Sequence, residues 1–78
     1  MKGLEGMLEF LTFLRSKKIT FRIEQDREDS IMVTFTLVGV RVEVDFFADH
    51  FEFSYFKGSE AVHSDRETLM RLIAENWD

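Results

Sequence analysis

Three consecutive segments of this chain alternate apolar and other residues with a period of two. They cover residues 31–37, 40–46 and 51–56, and short breaks separate them. Successive side chains of a β-strand point to opposite faces of the sheet, so each segment has one apolar face to bury and a second face of mixed character. The pattern therefore predicts three neighbouring strands of a sheet with one buried face.

A fourth strand is predicted before these three segments. Residues 19–23 alternate apolar and polar side chains, and the polar residues 25–29 after them are predicted to form a loop. Tight turns are predicted at residues 38–39, where glycine supplies the conformational freedom, and at residues 48–50. Short hairpin connections make neighbouring strands antiparallel, so the four strands are expected to form a meander.

Helical periodicity predicts a helix at each end of the chain. The first helix is expected over about residues 2–16, and its apolar stripe comprises Leu4, Met7, Leu8, Leu11 and Leu14, with Phe10 and Phe13 at the edges. The strand alternation stops at residues 57–59, and residues 61–63 are predicted to be either extended or a loop. A capping box begins at Ser64, which is predicted to be the N-cap of a second helix over about residues 65–76.

Together these elements predict a single α+β domain over residues 1–78. Both helices need a surface on which to bury their apolar stripes, and one side of the predicted sheet offers it. The expected architecture is a two-layer sandwich, in which a four-stranded antiparallel meander carries the N- and C-terminal helices on one face. The predicted core residues of the sheet are Ile19, Phe21, Ile23, Ile31, Val33, Phe35, Leu37, Val40, Val42, Val44, Phe46, Phe51, Phe53 and Tyr55.

The composition requires that burial of apolar side chains stabilise the fold. The 78 residues contain no cysteine, which excludes disulfide bonds and thiolate zinc sites, and 45% of them are hydrophobic, including nine phenylalanines. No apolar stretch approaches the ~20 residues that span a bilayer, and the N-terminus lacks the apolar core of a signal peptide. We therefore expect a cytoplasmic protein with no membrane partner.

Acidic charge is concentrated after residue 18. The formal net charge is -5, to which residues 1–18 contribute +2 and the remaining residues -7. An acidic surface repels phosphate and attracts basic proteins, so we expect a protein partner and no nucleic acid. The alternative is that a mildly acidic charge only keeps the protein in solution.

No motif in the sequence predicts catalysis, a metal site or a cofactor. The two histidines, His50 and His63, lack the spacing of metal ligands, and the four glycines are scattered instead of forming a phosphate-binding loop. Glu43 and Asp45 share one strand face, but an acid–base pair needs a cleft, which a small open sheet does not provide. We therefore expect no catalytic residue, no metal and no cofactor; a deep pocket at either histidine or at the carboxylates would instead indicate an enzyme or a small-molecule-binding domain.

The second face of the predicted sheet has the composition of a protein interface. Aromatic residues and methionine among charged groups are typical of such surfaces. The predicted partner contacts on this face are Met32, Arg41, Glu43, Asp45, Phe47, Glu52 and Phe56. The predicted loop adds Asp26, Glu28 and Asp29 as a second patch. In the alternative interpretations, Phe47 and Phe56 fold back into the core, or a homodimer forms through this face or an edge strand.

The chain resembles a group of small acidic bacterial proteins, some of which are similar to immunity proteins encoded next to toxins. The residues that carry the resemblance are Asp29 to Val33, Gly39 to Phe47, Asp49 and Phe51 to Phe56. It covers about residues 8–73, although Val42 replaces a large aromatic and His50 replaces a glycine of the pattern. The resemblance implies a stoichiometric binder whose acidic surface binds a basic toxin domain. The alternative is a small acidic dimer that resembles secretion chaperones and holds an extended partner segment.

Overall fold

A computed structural model describes residues 1–56 and 62–77 of the chain. These residues form two α-helices and one antiparallel sheet of five strands. The elements in chain order are α1 (Gly3–Ser16), β1 (Phe21–Arg27), β2 (Ser30–Leu37), β3 (Val40–Phe47), β4 (Phe51–Phe56), β5 (Val62–His63) and α2 (Arg66–Asn76). The predicted α+β class and antiparallel sheet are confirmed.

The predicted number of four strands is wrong, because a fifth strand lies at the end of the sheet. The strand order is β1–β2–β3–β4–β5, and β5 pairs with Phe53 and Ser54 of β4. Two residues are too few to establish a period of two, so the sequence left residues 61–63 as either extended or loop. The predicted end of the alternation at residues 57–59 lies outside the described residues.

Strand β1 extends further than predicted. It continues to Arg27, which pairs with Ser30, so the predicted loop over residues 25–29 is a strand end followed by a two-residue turn. The register shifts between Glu24 and Arg27, as it does at a β-bulge. The turn between β2 and β3 lies where it was predicted, and Gly39 there has a φ of 74°, which glycine adopts without a steric penalty.

Alternate residues of β2, β3 and β4 form the centre of the core. Val33, Val44 and Phe53 lie opposite one another on these three strands and are buried. Ile23 occupies the same row on β1, but it is 51% exposed, so its predicted place in the core is wrong. The physical reason is that β1 is the edge strand, where little covers its apolar side.

The buried side of α1 differs from the predicted stripe. Phe10 is buried, and its ring centroid lies 5.8 Å from that of Phe35 and 5.7 Å from that of Phe46. Leu4 and Leu8, which were predicted to be buried, are 67% and 54% exposed. Apolar residues occupy more than one side of α1, so periodicity alone does not select the side that packs against the strands.

The N-cap of α2 is Asp65 and not the predicted Ser64. The Asp65 carboxylate accepts hydrogen bonds from the Thr68 hydroxyl at 2.6 Å and from the Glu67 backbone N–H at 3.1 Å. These hydrogen bonds hold the pKa of Asp65 below its usual range.

Within residues 1–56 and 62–77, no helix is both long and apolar enough to cross a membrane.

Candidate functional site

The strand side chains that alternate with the core residues form a second face of the sheet, which we call the polar face. Directly opposite residues on neighbouring strands lie close together, so register arranges this face in rows across the strands. The residues of the polar face are Arg22, Glu24, Arg27, Ser30, Met32, Thr34, Thr36, Arg41, Glu43, Asp45, Phe47, Glu52, Ser54 and Phe56.

One row of the polar face is acidic and crosses four strands. Glu24 lies opposite Met32, Met32 opposite Asp45, and Asp45 opposite Glu52. Carboxylates directly opposite each other on neighbouring strands repel, so this row is unfavourable for the isolated chain. Met32 is half-buried in the middle of it and provides an apolar surface between carboxylates.

The carboxyl group of Asp45 is partly buried within this row. Partial burial raises the pKa of Asp45 and is the largest cause of the shift. Arg27 opposes the shift, whereas the nearby carboxylates of Glu43, Glu52 and Asp26 add to it. A raised pKa means that the ionised form of the carboxyl group is disfavoured. A positive group placed beside Asp45 would stabilise this ionised form.

Arg41 lies at one end of the polar face and contacts two other predicted partner residues. Its Nη2 atom lies 2.9 Å from Oε2 of Glu43, two residues along the same strand. Its guanidinium lies 5.7 Å from the ring centroid of Phe56, which is directly opposite on β4. Phe56 is half-buried, so its ring is partly covered by the protein's own arginine.

Phe47 is covered at the other end of the face and is only 7% exposed. The His50 ring stacks on it with the centroids 4.2 Å apart, and the Arg27 guanidinium lies 5.1 Å from its centroid. Ser30 lies between Arg27 and Phe47 in the same row, and its small side chain leaves room for the arginine to extend across. Phe47 is therefore buried beneath its own chain, outside the main core.

Both ring nitrogens of His50 face carboxylates. Nδ1 lies 2.7 Å from Oδ1 of Asp49, and Nε2 lies 3.2 Å from Oε2 of Glu52. The hydrogen bond with Asp49 is the main cause that raises the pKa of His50 above its ordinary value of 6.5, and Glu52 contributes in the same direction. The same hydrogen bond lowers the pKa of Asp49. Protonated His50 therefore places a positive charge on the Phe47 ring, as Arg27 does.

An open groove of about 730 Å³ extends along the polar face over β1, β2 and β3. The residues that line it are Thr20, Arg22, Glu24, Asp26, Met32, Thr34, Phe35, Thr36, Arg41, Glu43 and Trp77. Trp77 is held in place by its Nε1 atom, which donates a hydrogen bond of 2.8 Å to the carbonyl oxygen of Lys17. The groove combines carboxylates, arginines, hydroxyl groups and one methionine, which suits a protein surface better than a single small molecule.

The structure brings most of the predicted partner residues to one surface. Among them, Asp26, Met32, Arg41 and Glu43 line the groove. Asp45 and Glu52 continue the acidic row next to it, while Phe47 and Phe56 are covered as described above. Glu28 and Asp29 line a second depression of about 430 Å³, and Asp29 also lies beside Phe47 and Glu52 at the end of the polar face. The predicted loop patch is therefore divided between two places.

Seven of the eleven groove residues were not predicted as contacts, among them Arg22, Glu24 and Trp77. Arg22 and Glu24 alternate with the apolar residues of β1, so the period of two was a sufficient signal to place them on the polar face. Trp77 directly follows α2, and its position in the groove depends on where the end of that helix lies. No feature of the sequence indicates that position.

Within the part of the chain that the structure describes, no three His, Asp or Glu side chains converge as metal ligands. Comparison of the chain with protein-family models, curated proteins and solved structures finds no match. The interpretation of the polar face therefore depends on its own chemistry.

Proposed function

We propose that this protein is a non-catalytic binding module that associates stoichiometrically with a basic protein. The polar face is the binding surface, with Met32 at its centre and Glu43, Asp45 and Glu52 around it. The observation that carries the proposal is the position of Asp45 directly opposite Glu52 on the polar face, where Asp45 forms no salt bridge with any described residue. This surface is unfavourable for the free protein and becomes favourable when a partner supplies positive charge.

The energetics of such a contact follow from the position of Asp45. A partly buried carboxylate interacts with an opposite charge in an environment of lower effective dielectric than bulk water, so a partner lysine or arginine gains more there than at an exposed site. Met32 adds an adaptable apolar contact, because its unbranched thioether side chain adjusts to the shape of a partner. An apolar contact surrounded by charged groups is typical of the residues that dominate binding energy.

The proposal includes a two-layer arrangement in which both helices cover the opposite face of the sheet. Contacts of the Phe10 ring with Phe35 and Phe46 support this position for α1. Leu69 and Ile73 of α2 are buried in the same cluster of core residues, which supports a similar position for α2. In this arrangement, the polar face carries no helix and is available to a partner.

The proposed partner is a basic bacterial toxin domain, for which this protein acts as the cytoplasmic immunity protein. Two observations support this identity: the resemblance to small acidic immunity proteins, and the net charge of -5, which would steer a basic partner to the surface. Neutralisation then requires only that the bound protein occlude the toxin. It needs no chemical step on either chain.

The test measures binding to the toxin-like protein encoded by the adjacent reading frame. The site variant combines Glu43→Lys, Asp45→Lys and Glu52→Lys, and calorimetry at several salt concentrations gives the affinity and its salt dependence. We expect the variant to bind about 100-fold more weakly or worse, with a smaller salt dependence, because attraction on the polar face becomes repulsion.

A matched control reverses three exposed carboxylates on the helices, with Glu5→Lys, Glu9→Lys and Glu75→Lys. It changes the net charge by the same amount as the site variant, and we expect less than about a fivefold loss of affinity. Urea unfolding confirms that both variants fold. Equal losses in the two variants would show that only net charge matters, and an adjacent gene product that does not bind would overturn the immunity proposal.

A further inference from the structure

Strand β1 leaves one edge of the sheet open. It is the first strand in the sheet order and pairs with β2, and none of its backbone groups forms a hydrogen bond outside the sheet to any described residue. Such an edge presents N–H and C=O groups that pair readily with a further strand. Residues Phe21 to Glu24 keep a regular register with β2, so this part of the edge has the geometry that a new strand requires.

An apolar patch accompanies the open edge. We use this name for three exposed apolar residues that the sequence placed in the core, Ile23 on β1 and Leu4 and Leu8 on α1. Leu4 lines the second depression together with Gln25 of β1 and Ile31 of β2, so this side of α1 lies beside the edge of the sheet. Exposed apolar side chains beside an open strand indicate a surface that another chain covers.

The charges of β1 are complementary to a second copy of the same strand. If two antiparallel copies meet on a two-fold axis at Ile23, Arg22 lies opposite Glu24 of the other copy, and the same pair occurs twice. Ile23 then contacts its own copy, and Phe21 lies opposite Gln25. An axis at Arg22 or at Glu24 would place two like charges directly opposite each other, which is unfavourable.

Arg22 and Glu24 are free to make these contacts. Neither forms a salt bridge with any described residue. Their direct neighbours on β2 are Thr34 and Met32, which are uncharged. Charged residues normally protect an edge strand from association, but here the same charges match when the strand meets its own copy.

We propose that this protein forms a symmetric dimer in which β1 pairs antiparallel with β1 of a second copy about an axis at Ile23. The two sheets join into one continuous sheet, and the patch of Leu4, Leu8 and Ile23 contributes the apolar part of the interface. The dimer goes beyond the proposed function, and it brings the grooves of the two copies next to each other on one polar surface.

The test is a charge exchange at the interface, followed by sedimentation equilibrium over a range of about 1–500 µM protein, because dimer stability depends on concentration. The unchanged protein is expected to reach twice its chain mass of 9.3 kDa. Arg22→Glu alone and Glu24→Arg alone each create two like-charge pairs, and we expect the dissociation constant to rise about 10- to 100-fold. The double variant restores opposite charges, and its dissociation constant is expected to return to within about threefold of that of the unchanged protein.

The double variant keeps the proposal falsifiable, because recovery of the dimer cannot result from damage to the fold. A protein that stays monomeric over the whole range would overturn the proposal. It would also be overturned if the single variants dimerise with an unchanged dissociation constant. A double variant that dimerises more weakly than both single variants would overturn it as well. The variants used to test toxin binding lie on β3 and β4, so the two proposals fail separately.

Discussion

Replacement of Phe47 by alanine should destabilise the protein, although the alternation of β3 places this ring on the polar face. The ring is almost fully buried by its own chain, and full burial of a phenylalanine contributes about 1.5–3 kcal/mol. Contacts with the His50 ring and the Arg27 guanidinium add about 0.5–1 kcal/mol each. The covering side chains are themselves partly exposed, so they can close over the gap, and the further cost of a rigid cavity is expected to be small.

The sum gives a loss of about 2.5–5 kcal/mol in the free energy of unfolding, or roughly 10–40 °C in Tm for a domain of this size. Phe56→Ala is the matched control, because that ring is only half-buried and contacts Arg41, and its expected cost is about 1 kcal/mol. Urea unfolding followed by the fluorescence of the single tryptophan, Trp77, measures both losses at one protein concentration.

A second observable separates loss of the stacked ring from a general weakening of the fold. The aromatic ring current of Phe47 displaces the proton resonances of His50, whose ring centroid is 4.2 Å away. In Phe47→Ala these resonances should move toward the positions of an unstacked histidine, while Phe56→Ala should leave them in place. If Phe47→Ala costs no more stability than Phe56→Ala, or if the His50 resonances do not move, Phe47 is not held as a stacked, buried ring.

Two further predictions concern the titration of His50 and the cap of α2. Asp49→Asn should lower the pKa of His50 measured by NMR, because the Asp49 hydrogen bond is its main cause of elevation; an unchanged pKa would contradict this. The pKa of His50 is higher in the folded protein than in the unfolded chain. The stability that protonated His50 contributes is therefore fully present below about pH 6 and is lost as pH rises through the folded pKa. Urea unfolding of His50→Gln across that range would detect this loss. Asp65→Ala should cost about 1 kcal/mol and Ser64→Ala only a few tenths, and the reverse order would restore Ser64 as the N-cap.

The sheet could be predicted from the sequence because its signal is repeated. Three strands with the same period of two leave one consistent choice of buried face, and Val33, Val42 and Val44 are completely buried as expected. The helix α1 offered no comparable signal, since Phe10 and Leu8 lie on different sides that are both apolar. The choice between them depends on how the Phe10 ring fits between aromatic rings of two strands, and this is a tertiary property.

The candidate site was predictable in its face but not in its contacts. Alternation assigns Asp45 and Phe47 to the same side of β3, and both lie there. Burial of Phe47 depends on a row across three strands, in which Arg27 passes over a small serine. Such a row exists only once the register is known, and the bulge near the end of β1 changes that register locally.

The distribution of positive charge connects the two proposals. Arg41 and Arg27 are bound by carboxylates close to them in the chain, and Arg27 offsets the raised pKa of Asp45 only in part. In the proposed dimer, Arg22 is neutralised by Glu24 of the second copy, so it is not available to Asp45 either. Under the proposed function, a basic partner supplies the further positive charge beside Asp45. Dimer formation and partner binding therefore use different carboxylates of one surface, and loss of either interaction should leave the other intact.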